Sequence, residues 1–149
     1  MSKVKKEDSQ YQEVAISRRR IAGEAPIVVN EITDRCLLSG FFGTLDSVRM
    51  KKIIEGILEV TTRTEHDMII IDLSNVDIID SAISGHLVKL NKTLQMVGLD
   101  VMFCGIKPVV AQSMVSAGVI LDNIFVAKNL KRALKEAYKR QGLVLKKIE

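Results

Sequence analysis

The stretch VDIIDSAISGHLVKL, Val76 to Leu90, brings Asp77, Asp80 and Ser81 close together. A hydroxyl one residue after a carboxylate, just ahead of an apolar helical pattern, suits two uses. Asp80 or Ser81 can accept the amide N–H groups that a helix leaves unpaired at its start. The same hydroxyl can instead receive a phosphoryl group from an outside kinase, gaining about −1.5 to −2 charges beside those N–H groups. The positive helix end favours that charge by about 0.3–1 kcal/mol, while Asp80 opposes it. Two small terms of opposite sign leave the fold intact, so the effect falls on whatever docks there. Burying a doubly charged group in an apolar or acidic interface costs several kcal/mol. At about 1.4 kcal/mol per tenfold in affinity, that expels a partner.

Other chemistries find little support. His66 stands in a polar turn and His86 beside Leu87 on a helical pattern, neither with a nucleophilic serine or cysteine partner. No C-x-x-C, H-E-x-x-H, G-x-x-x-x-G-K-[ST] or G-x-G-x-x-G occurs. No metal and no cofactor is therefore expected, and the chain reads as no enzyme. A phospho-aspartate receiver would use Asp72 at a strand end and Lys128 after the last strand. It also needs clustered oxygens for Mg²⁺, and the loop after the first strand offers only Asp34.

The 149 residues suffice for one domain with a sizeable core, and 47% apolar with 27% charged residues is ordinary for a soluble globular protein. No apolar run approaches the roughly 20 residues that span a bilayer, and the start MSKVKKEDSQ lacks the apolar region of a secretory signal. Cys36 and Cys104 each lie inside an apolar run, as buried free thiols of a reducing cytoplasm do. The net charge of +4 is uneven: residues 128–149 hold eight Lys/Arg against two Glu, residues 1–25 six against four, and the middle is net negative at −4. A basic nucleic-acid surface over residues 128–149 is one reading, a solvated helix face the other. With 4% aromatics there is little to stack on bases.

These residues need elements to position them. Residues 1–25 are polar, carry Arg18, Arg19 and Arg20, and read as a flexible basic arm. Ile27–Ile32 and Arg35–Phe42 flank Thr33-Asp34 as a hairpin. Asp46 or Ser47 caps a helix running to about Arg63. Met68–Leu73 is an apolar run suited to a strand covered on both faces. A helix follows over Ser81–Val97, with Ile83, Leu87, Leu90, Leu94 and Val97 inward and Gly98 as left-handed cap. Val101–Cys104 is the next strand, and Pro108 opens a third helix that ends near Ala117 and Gly118. Ile124–Val126 is the last strand, and Asn129 caps a final helix facing inward with Leu130, Ala133, Leu134, Ala137 and Tyr138. The order β-β-α-β-α-β-α-β-α predicts one α/β domain over 26–141, a mixed, mostly parallel sheet with an N-terminal antiparallel hairpin and about four helices. A basic tail is expected over 142–149. Ser81 then falls at the carboxyl edge of the sheet, where sites of open α/β folds form.

From Ile27 to about Tyr138 the chain resembles the STAS domain family, the sulphate transporter and anti-sigma factor antagonist domains. IIIDLSNVDIIDSAISGHLVKLNKTLQMVG followed by VMFCGIKPVVAQSMVSAGV is most similar to the stressosome branch, bacterial signalling scaffolds that hold a switch kinase. The resemblance implies a phospho-acceptor at the serine after the aspartate, Ser81. Ser113 falls on the second acceptor position of the larger co-antagonists, and reads equally as an ordinary helix-surface serine. Asp77, Asp80, Ser81, Ala82, Ser84 and Gly85 would form the partner-binding surface. Simple anti-sigma factor antagonists show Asp-Ser-Ser-Gly, whereas Ala82 and Ile83 follow Ser81 here and Gly85 matches a later glycine. The expected role is a small single-domain scaffold subunit, since 25 residues leave no room for a sensor domain. Its expected partners are a serine/threonine switch kinase and a larger STAS co-antagonist paralogue, in a homo- or hetero-oligomer without membrane or nucleic acid. A free antagonist of an anti-sigma kinase is the alternative.

Overall fold

A computed structural model describes residues 27–78, 81–119 and 124–149; the expected arm over 1–25 lies outside them. Among the described residues, five strands and four helices follow in order: β1 (Ile27–Thr33), β2 (Cys36–Thr44), α1 (Ser47–Thr62), β3 (Met68–Ile78), α2 (Ser81–Met96), β4 (Asp100–Cys104), α3 (Pro108–Ser116), β5 (Phe125–Ala127) and α4 (Leu130–Arg140). The strands lie in one sheet in sequence order, with β1 antiparallel to β2 and the rest parallel. The expected mixed α/β architecture is thus the observed one.

The alternation within β3 shows why its apolar run is unbroken. Ile69, Ile71 and Leu73 enter the larger core, with Met50, Ile53 and Ile57 of α1, Ile83, Leu87 and Leu90 of α2, and Val110 and Met114 of α3. Met68 and Ile70 face the other side, with Cys36, Met102 and Cys104 under Ala133 and Ala137 of α4. A strand buried on both faces has no polar side to alternate with. Helix ends follow side-chain chemistry. Asp46 caps α1 by accepting from the Arg49 N–H at 2.8 Å, and Asn129 caps α4 by accepting from the Arg132 N–H at 3.0 Å. Gly98, with φ of 90°, closes α2: its N–H reaches the Gln95 carbonyl and that of Leu99 the Leu94 carbonyl.

Several boundaries differ from the sequence reading. The hairpin turn is Asp34-Arg35, one residue later than expected, because the Thr33 hydroxyl accepts from the N–H groups of Arg35 (3.2 Å) and Cys36 (3.0 Å) and Thr33 stays in β1. Val97 does not continue the inward stripe: it lies past the end of α2, 54% exposed, and buried Leu99 takes its place as the chain turns at Gly98. The last strand is shifted one residue, to Phe125–Ala127. The largest change is in β3, which runs to Ile78 rather than stopping at Leu73.

Candidate functional site

The extra length of β3 shapes the site. β3 pairs with β4 only as far as Asp72↔Cys104, whereas its pairing with β2 continues through Asn75↔Phe42, Val76↔Gly43 and Ile78↔Thr44. The last residues of β3 therefore overhang β4 at the carboxyl edge of the parallel strands. Val76 is fully buried and anchors the overhang to the core.

The turn after β4 buttresses it on the open side. Asp72 accepts from the Ser74 N–H at 2.9 Å and from the Ser74 hydroxyl, a local bond typical of an acid closing a turn. Gly105 packs onto this pair with φ of 71°; a Cβ there would lie 2.8 Å from Asp72 Oδ1, 2.9 Å from Ser74 Cβ and 3.1 Å from Ser74 N. Only glycine tolerates both the left-handed backbone and this closeness. Two residues on, the Lys107 ammonium donates to Asp77 Oδ1 at 3.1 Å. So Gly105 and Lys107 of the GIKP motif each grip β3 just before the chain enters α2, a use of the motif that sequence reasoning did not identify. The pair is half-exposed, and such a bond positions more than it stabilises.

The candidate residues distribute as follows. Ser81 is the first residue of α2, and β3 ends at Ile78; the side chain of Ser81 and residues 79–80, with Asp80, lie outside the described residues. Asp77 is exposed near the end of β3 and paired with Lys107. Ala82 and Gly85 are exposed on the first turns of α2. Ser84 is a correction: it is fully buried, on the side of α2 that enters the core, and a partner cannot reach it. The first turn of α2 alternates between a core-facing side, Ile83 and Ser84, and a solvent-facing side, Ala82 and Gly85. Ser113 sits on the neighbouring helix α3, partly exposed, its hydroxyl donating to the Val109 carbonyl at 3.0 Å.

Of the residues weighed for other chemistries, Asp72 and Lys128 both fall at the carboxyl edge, two strands apart, while Asp34 and His66 lie at the other end of the strands. Asp34 is in the hairpin turn. His66 precedes β3, buried, with Nε2 3.0 Å from Glu31 Oε2. Among the described residues no three His, Cys, Asp or Glu side chains are grouped to hold a metal ion, and no helix is long and apolar enough to cross a membrane. The basic surplus of the C-terminal region lies on the exposed side of α4, at Lys131, Arg132, Lys135 and Lys139.

RsbT co-antagonist protein RsbRA of Bacillus subtilis is 24% identical over 128 residues, 84% of this chain and 46% of that protein. The chain spans less than half the length of the RsbT co-antagonist proteins it matches. Among solved structures, RsbS of Moorella thermoacetica, in a variant carrying glutamate in place of a serine, superimposes with a TM-score of 0.68 at 22% identity, covering 80% of this chain and all of that one. A chain from the molecular architecture of the stressosome gives a TM-score of 0.62 at 21% identity, covering 78% of this chain and 99% of that one. The model of the STAS domain matches residues 28–140, from the first strand to the end of α4, and the chain belongs to the STAS domain family.

Proposed function

We propose that this chain is a non-catalytic scaffold or antagonist of a bacterial stress-signalling complex. It sequesters a serine/threonine switch kinase on the surface around the start of α2 and releases it when Ser81 is phosphorylated. The observation that carries the reading is the placement of Ser81 at the first residue of α2, beyond a strand overhang fixed by Gly105 and Lys107, with Ala82, Gly85 and Asp77 exposed around it. A rigid mount lets a phosphate act on a docked protein instead of being absorbed by local rearrangement. Likeness to the RsbT co-antagonists and to RsbS supports the kind of assembly, including a larger STAS paralogue as partner. Ser113 is proposed as a second acceptor. Its phosphorylation would displace only a hydrogen bond to its own helix, which leaves the fold in place.

The test is a pull-down with a serine/threonine switch kinase from the same organism. Ser81→Asp is expected to fold as the parent does and lose the kinase, and Ser81→Ala to retain it. Retention by a folded Ser81→Asp variant overturns the switch. Light scattering of the chain mixed with its STAS paralogue separates the scaffold from a free antagonist. A megadalton particle belongs to the first, a one-to-one complex with a kinase to the second.

A further inference from the structure

At the other end of the strands from Ser81, the chain leaves α4 through a glycine cap like that of α2. Gly142, with φ of 74°, closes the helix: its N–H reaches the Lys139 carbonyl at 3.0 Å, and that of Leu143 the Tyr138 carbonyl at 2.8 Å. Gln141, the residue before it, accepts from the Thr33 hydroxyl at 3.0 Å. The root of the C-terminal segment is thereby tied to the end of β1. Beyond the root the segment is apolar and exposed: Leu143 51%, Val144 75%, Leu145 73% and Ile148 99%. It belongs to no strand or helix.

Beside that root lies a sheet edge that the fold leaves open. β1 is the first strand of the sheet, and among the described residues its outer side pairs with nothing. Seven residues long, it carries no lysine or proline to blunt it. One face of the hairpin is also thinly covered. α4 packs over β3, β4 and β5, leaving Ile32 and Leu38 partly exposed and Phe42 43% exposed. An extended stretch of six residues spans about 20 Å at roughly 3.3 Å per residue, close to the length of such an edge. The hairpin carries Glu31, which faces His66, Asp34, and Arg35, which pairs with Asp67; the segment carries Lys146 and Lys147, so Asp34 is the charge the lysines can meet.

The geometry points to a strand exchange between two copies of this chain, in which Leu143–Ile148 of each adds to the β1 edge of the other. The main chain supplies the ladder, and one face of the added strand, either Leu143 with Leu145 or Val144 with Ile148, covers the hairpin face. A second copy is the occupant because the segment's own root already sits at this edge, yet the segment lies off its own sheet. Donor root and acceptor edge being adjacent in one chain, a single two-fold axis satisfies both exchanges and the interface closes at two. The exchange does not use Ser81: the acceptor is the outer side of β1, two strands away from β3.

Sedimentation velocity of the full chain from about 1 to 200 µM, with amide hydrogen exchange at both ends of the range, tests it. The parent is expected to pass from monomer to dimer, with β1 amides protected only where the dimer is populated. The double variant V144D/L145D places a carboxylate on each side of the added strand, at positions already exposed. It is expected to raise the dimer dissociation constant at least tenfold while keeping the parent's circular dichroism spectrum. Three results overturn the proposal: a parent that stays monomeric throughout, a dimer or larger assembly unaffected by both carboxylates, or β1 protection that is the same at the lowest concentration. The last would place the chain's own segment, or residues 1–26, on the edge.

Discussion

Replacing Gly105 with alanine separates two costs that the structure combines at one position. The first is the left-handed backbone at φ of 71°, which costs a residue with a Cβ about 1–2 kcal/mol. The second is crowding. The new Cβ would sit 2.8 Å from Asp72 Oδ1 and 2.9 Å from Ser74 Cβ, and no rotamer change moves the latter. Relief requires the Asp72 carboxylate to give up the Ser74 N–H it holds at 2.9 Å, and a hydrogen bond to a charged group contributes about 1.5–3 kcal/mol. Together the substitution should cost roughly 2.5–5 kcal/mol. Gly98→Ala is the internal control, because Gly98 has φ of 90° and nothing within 4 Å of the would-be Cβ. It should cost only the backbone part, about 1–2 kcal/mol. Urea denaturation of both variants beside the parent reads the difference directly, provided the m-values agree. If Gly105→Ala is no less stable than Gly98→Ala, the buttress beneath the overhang does not exist and the rigid mount for Ser81 fails with it.

Three further outcomes follow from other parts of the fold. Thr33→Val, which removes the hydroxyl shared by two turn amides and Gln141, should lower stability by about 1–2 kcal/mol, visible as a lower urea midpoint. Arg140→Met loses ion pairs to Asp100 and Glu136 and the stacking of the guanidinium 4.8 Å from the Phe125 ring centroid; a loss of about 1–2 kcal/mol by thermal unfolding is expected. Burial pushes the thiols of Cys36 and Cys104 up to about 12, with Asp67 adding to the effect at Cys36 and Asp72 at Cys104. Neither should react with a disulfide reagent at pH 8 until urea unfolds the chain. A raised thiol pKa in the fold also sets the sign with pH. The unfolded thiols ionise from about pH 8.5 upward and the folded ones do not, so stability falls as pH climbs from there toward 12.

Wherever side chains fall on two clear classes of surface, the sequence could be read directly. The run Met68–Leu73 and the stripe Ile83, Leu87, Leu90, Leu94 define β3 and α2 because burial dictates their types. Caps such as Asp46, Asn129 and Gly98 are equally visible, since each does a local job. What escaped was decided by contacts between distant residues. The polar Asp72, Ser74 and Asn75 made β3 look finished, while the partner strand β2 and buried Val76 carry it on to Ile78. Ser84 looked like surface because serine is polar, yet its place one residue after Ile83 puts it on the core side. The grip of Gly105 on Asp72 joins residues 33 apart in the chain, and no local pattern in the sequence announces it.

The overhang of β3 also bears on how a phosphate at Ser81 would be transmitted. Residues after Asp72 have no β4 partner, so their order rests on β2 along one side and on Gly105 and Lys107 along the other. Ser81→Asp should therefore leave amide exchange in β3 and β4 unchanged and act only at the surface where a partner sits. Lys107→Met is the informative companion. It removes the cation that holds Asp77 but leaves Ser81, Ala82 and Gly85 in place. If docking needs a fixed mount, kinase retention should weaken severalfold with little loss of global stability, because a half-exposed ion pair contributes only about 0–1 kcal/mol to folding. Full retention by Lys107→Met would mean that the partner orders this edge on arrival, and that the mount matters less than the hydroxyl it carries.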